Sequence, residues 1–158
     1  MTDGSPRRDE SKEERLDRNL GELLQELRVA LPGVQVLFAF LLTVPFQQGF
    51  TKITPFQEKV YFACLMLTAI SATLLISPTA YHRMTFRKQQ KDHLINLANK
   101  FAIAGLACLA LAMTGAVMLV TDLLFGAVAT AIASGFSFCL FLLLWFALPL
   151  QRRLNPED

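Results

Sequence analysis

Charge is scarce in this sequence. Of its 158 residues only 18% are Asp, Glu, Lys or Arg, against about 25% in an average soluble domain. Three Cys are too few for a disulfide scaffold, and Cys64, Cys108 and Cys139 lack the paired spacing of a metal or thiol-exchange motif. They read as small packing residues. The two His, His82 and His93, have no ligand pattern around them and read as polar residues at headgroup level. Eight Gly and seven Pro are too few for a fibrous or low-complexity chain. There is no Gly-rich phosphate loop, no HExxH and no nucleophile elbow. The expectation is a protein that is not an enzyme, with no catalytic, cofactor-binding or metal residues and no cofactor.

What fills the space is apolar. Hydrophobic residues make up 53% of the chain and the mean hydropathy is +0.41. A monomeric soluble protein of that composition would expose large sticky patches. The charged residues also leave four long gaps, at residues 29–51, 60–82, 101–121 and 123–151. A hydrocarbon core about 30 Å thick needs about 20 apolar residues in helix, and every gap meets that length. The fold expected is all-α, an integral membrane bundle of four transmembrane helices (spans at about 33–51, 56–82, 93–120 and 124–151) preceded by a cytoplasmic amphipathic helix. The transmembrane domain then covers residues 32–153.

Orientation follows from the distribution of Lys and Arg. Lys52 and Lys59 fall in the first connection and none in the third. The other thirteen of the 15 fall in the N-terminal segment, the second connection and the tail. Both termini and the middle loop are therefore expected in the cytoplasm, and a bacterial inner membrane is the simplest location. The first 28 residues are densely charged and carry no apolar stretch of the signal-peptide kind. Tyr61, Tyr81 and Trp145 fall near span ends and read as interfacial anchors.

Residues 1–12 are polar and expected to be disordered; residues 154–158 form a short cytoplasmic tail. Within residues 13–31, Leu16, Leu20, Leu23, Leu24, Leu27 and Leu31 fall within an arc of about 100° on a helix, the width of an amphipathic stripe. Glu14, Arg18 and Glu22 make an i, i+4 ladder on its polar side. Pro32 and Gly33 then permit a change of direction before the first span. The stripe is expected to lie on the membrane interface, or else on a protein partner or the bundle itself. The segment is net acidic, which argues against a polybasic lipid anchor. The middle loop is the opposite: Arg83, Arg87, Lys88, Lys91 and Lys100 face only Asp92, and read as contacts to lipid headgroups. Asp92 is placed to cap the third helix. Nucleic acid is not expected as a partner, because the loop offers no aromatic stacking platform.

Helices in lipid pack through small residues. Ala104, Cys108, Ala112 and Ala116 repeat at four-residue spacing in the third span, and Ala127, Ala131, Gly135 and Cys139 do so in the fourth. The pattern predicts a close hairpin between these two, and homo-oligomer formation is open. Ala69, Thr73 and Ser77 give the second span a narrow face of its own. Pro45, Pro78 and Pro149 fall within or at the ends of spans and each removes a backbone donor. Thr54, Pro55 and Gln57 form a capping-box pattern that starts the second span near Pro55. No gap holds a charged residue of the kind that marks an ion pathway. The polar or ion contacts left are Gln35, Thr43, Gln47, Gln48, Glu58 and Asp122. Asp122 reads as the cap of the fourth helix or, less simply, as an ion site.

Residues 20–46 (LGELLQELRVALPGVQVLFAFLLTVPF), together with SPTAYHR at 77–83, VTDLLFG at 120–126 and WFALP at 145–149, resemble a family of small uncharacterised actinobacterial membrane proteins. The resemblance spans residues 13–153. It implies the four-span architecture, and because some members carry the label sodium:proton antiporter it also implies an ion-translocating alternative. The residues themselves point to a non-enzymatic structural or accessory subunit of the membrane. Its expected partners are lipids and a protein met through residues 13–31. A small oligomeric ion transporter or channel using Gln47, Glu58 and Asp122 at an outer mouth is the alternative.

Overall fold

The computed structural model describes residues 12–85 and 91–154, and every element among them is helical. Helix α1 covers Lys12–Thr43, α2 Pro55–Thr85, α3 Lys91–Phe125 and α4 Ala127–Leu142. A π-helical segment, Leu143–Ala147, and α5, Leu148–Leu154, continue α4 to the end of the described chain. Four helices are long and apolar enough to cross a membrane: Gly21–Phe46, Pro55–Tyr81, Ile95–Phe125 and Ala127–Gln151. This is the architecture of a multi-pass membrane protein. Its surface fits: Val29, Phe46, Phe125, Val128 and Phe136 stand exposed where lipid tails are the natural solvent.

The N-terminal arm and the first span form one helix, with no change of direction assigned at Pro32 and Gly33. Pro32 lies inside α1, on its exposed side. The reason lies on the opposite face. Leu27, Val34 and Leu41, seven residues apart, are all buried, so one packing stripe runs unbroken past the proline. A missing backbone donor on the far side costs a bond without disturbing that seam. Three of the arm's leucines are covered from within: Leu27 belongs to a core cluster with Val34, Leu75 and Leu109, against which Leu23, Leu31 and Trp145 pack. Trp145 therefore packs on the core, its ring 5.1 Å from that of Phe141.

The closest packing is between α2 and α3, not within the α3/α4 hairpin. A Cβ built on Gly105 would approach Leu75 to 2.8 Å, and one on Gly115 would approach the Sγ of Cys64 to 2.5 Å. These two glycines let side chains of α2 seat directly on the α3 backbone. The buried hydroxyl of Ser71 crosses the seam and donates to the Gly105 carbonyl at 2.7 Å. Ala112 is buried, but Ala104 is exposed, and Cys108 and Ala116 are part-buried. On α4 the expected packing face points away: Ala127, Ala131, Gly135 and Cys139 are exposed, and nothing lies within 4 Å of a Cβ on Gly135. None of the α4 span's most apolar window is buried, against 28% for α2. Buried Thr130 marks the opposite side, its hydroxyl donating to the Gly126 carbonyl at 2.8 Å.

Helix ends also differ from the charge pattern. Asp122 lies inside the last turn of α3, and α4 begins after Gly126, whose φ of 81° and ψ of −179° suit only glycine. Charge marks where an apolar run stops, but a helix can continue past it. For the same reason Asp92 falls inside α3 and does not precede it.

Candidate functional site

Gln57, Asp122 and Tyr61 make their interhelical bonds at one end of the bundle, where α1 stops, α2 begins and α3 stops. Chain direction brings them there. Pro45 ends α1 because its ring supplies no N–H for the Leu41 carbonyl four residues earlier. Two short 3₁₀ turns follow, Val44–Phe46 and Gln48–Lys52. The orphaned Leu41 carbonyl instead accepts from the buried hydroxyl of Tyr61 on α2, at 2.9 Å. Tyr61 is thus an interhelical tie. Its ring meets that of Phe50 edge-on, with centroids 5.1 Å apart.

Helix α2 starts with the capping box its sequence predicts. The Gln57 N–H donates to Thr54 Oγ1 at 3.2 Å, and the Thr54 N–H donates to Gln57 Oε1 at 2.9 Å. Gln57 does more than cap. It is 92% buried, 8% of it being exposed, and its Nε2 donates to Asp122 Oδ2 at 2.9 Å. One amide therefore closes the first turn of α2 and ties that turn to the last turn of α3. Sequence reasoning read Gln57 as a cap and missed the second role. Its partner lies 65 residues away, and no local pattern joins them.

The other candidates disperse. Gln35, Gln47, Gln48 and Glu58 are exposed, and the exposed Thr43 donates its hydroxyl to its own helix at Phe40. Of the candidates read as ion contacts, only Asp122 is tied into the interface between spans. Arg83 and Lys100 are exposed at the opposite end, as headgroup contacts would be. Arg87 and Lys88 lie outside the described residues, as do the side chains of Lys91, Asp92, His82 and His93. Cys64 packs small and buried, and all three cysteines are free. Among the described residues, no group of three or more His, Cys, Asp or Glu is placed to hold a metal ion.

Beside the Gln57–Asp122 pair lies a partly open pocket of about 200 Å³. Val44, Phe50, Ile53, Leu119 and Leu123 make its walls, and Gln47 and Gln57 supply its polar groups. A second, shallower groove follows α2 along Ala69, Thr73 and Ser77 opposite Phe38. There the Thr73 and Ser77 hydroxyls donate to carbonyls of their own helix at 2.9 and 2.7 Å.

A family model, described as a family of unknown function (DUF6328), matches residues 9–149. The chain belongs to this family. The match takes in the arm, all four spans and the Gln57–Asp122 contact. No curated protein and no solved structure matches the chain. The chemistry of this DUF6328 member must therefore be read from its own residues.

Proposed function

We propose that this protein is a non-enzymatic accessory subunit of a membrane assembly, set in a bacterial inner membrane with both termini and the α2–α3 connection in the cytoplasm. The observation that carries the reading is α4. It is the one span with none of its most apolar window buried. Ala127, Ala131 and Gly135 form a shallow exposed row on it, beside a ridge of Val128, Ile132 and Phe136. In lipid, where hydrophobicity does not drive helices together, small residues beside large ones are what allow a neighbouring helix to approach. The N-terminal arm contributes differently. Leu23, Leu27 and Leu31 pack on the bundle, and Glu22 and Glu26 stand exposed as a charged surface.

A photo-crosslinking residue in place of Phe136 tests this, with one in place of the exposed Phe62 of α2 as the control. The expected result is an adduct with a distinct membrane protein at 136 alone, weakened when Glu22 and Glu26 are both changed to Lys. Lipid adducts alone at both positions overturn it. A second reading, a small oligomeric ion transporter or channel, draws on the contact between Asp122 and Gln57, which sets an acid between two spans. Ion flux in proteoliposomes that is abolished by Asp122→Asn supports it, and flux equal in both forms removes Asp122 from consideration.

A further inference from the structure

The pocket at the Asp122 end has a size and a polarity that together describe a ligand. An apolar cavity of about 150 Å³ is known to take up benzene, so one of about 200 Å³ accommodates a single substituted six-membered ring. Its walls are aliphatic apart from the Phe50 ring, which Tyr61 holds edge-on. Charged ligands are disfavoured, since the lining residues carry no charge and the nearby Asp122 carboxylate repels anions.

Gln57 supplies the specificity. A side-chain amide has two N–H donors. One of those on Gln57 is committed to Asp122, and because Gln57 lines the pocket the other can serve an oxygen bound there. The rest of the side chain is fixed, because Thr54 donates to its carbonyl oxygen. A donor held in place at the wall of an apolar pocket favours a ligand oxygen that can only accept. A ketone-type carbonyl meets that need. Exposed Gln47 stands on the same pocket and offers a second amide donor.

We propose that this pocket binds a neutral, ring-sized lipophile bearing a carbonyl oxygen, of the quinone class, with the carbonyl accepting from the Gln57 amide. The apolar tail of such a molecule continues into the bilayer. This site is separate from the α4 face, and either holds without the other.

The test uses the full chain in phosphatidylcholine nanodiscs, with a short-tailed benzoquinone as the probe. Saturable binding is expected, weakened about tenfold by Leu123→Trp, which fills the pocket from its exposed rim. Gln57→Met keeps the side chain's length, removes the donor, and is expected to weaken the quinone while leaving the matching alkylbenzene unchanged. Because Gln57→Met also loses the cap, its fold is checked by circular dichroism, and Leu123→Trp stands as the independent variant. Binding unchanged in Leu123→Trp overturns the location. An alkylbenzene that competes as well as the quinone overturns the carbonyl recognition. Displacement of the quinone from detergent-solubilised protein by added phosphatidylcholine as effectively as by more quinone identifies a phospholipid site instead, and overturns the proposal.

Discussion

At the scale of single residues, the chain repairs what its prolines remove. Pro45 strips the Leu41 carbonyl of its helical donor, and the Tyr61 hydroxyl takes the vacant role from another helix. Tyr61→Phe keeps the ring contact with Phe50 and loses only this bond. It is expected to destabilise the protein by about 1 kcal/mol, read from reversible unfolding in mixed micelles. The penalty is expected to shrink in a Pro45→Ala background, where the helix can supply its own donor. Gly115 gives a sharper contrast. Gly115→Ala drives a methyl into the Cys64 sulfur and is expected to cost about 1–3 kcal/mol. Cys64→Ala removes the obstructing atom, so the double variant is expected to be more stable than Gly115→Ala alone, by the same unfolding measurement. Additive losses would show that the α2–α3 seam is looser than the contact implies.

Among elements, the break between α3 and α4 rests on one residue. Gly126 holds a backbone conformation that side chains do not tolerate. Gly126→Ala is accordingly expected to cost about 1–3 kcal/mol, seen as faster amide exchange over the first turn of α4. The sequence marked this region through Asp122, the only charge between two apolar runs, and so placed the break four residues early. Charge reports where lipid-compatible sequence pauses; the turn itself is decided by φ at a glycine one residue long. Pro32 misleads in the other direction. It is a strong breaker taken alone, yet the seven-residue repeat of Leu27, Val34 and Leu41 carries the helix through it. The four spans were legible because length in lipid is a hard physical requirement. The faces were not: small residues on α4 and glycines on α3 look alike in sequence, and only the neighbours that close on Gly105 and Gly115 separate them. The capping box at Thr54 was legible locally, while its tie to Asp122 was not.

On the scale of the whole molecule, the distribution of positive charge makes an orientation testable. In a background with the three native cysteines changed to Ala, Gln48→Cys is expected to react with a membrane-impermeant maleimide in intact cells. Arg83→Cys is expected to react only after permeabilisation. The reverse pattern would invert the topology and place the Gln57 pocket on the cytoplasmic side.

The continuity of α1 has a mechanical meaning. Thirty-two residues of helix make a rod about 48 Å long, whereas the hydrocarbon core is about 30 Å thick. The surplus lies along the bundle, where Leu23, Leu27 and Leu31 pack against the core. The rod's far end leads directly into Val44, a wall of the pocket. Leu27, Val34 and Leu41 seat that rod along most of its length, so a displacement of its N-terminal turns would be passed on to Val44 and not absorbed at a hinge.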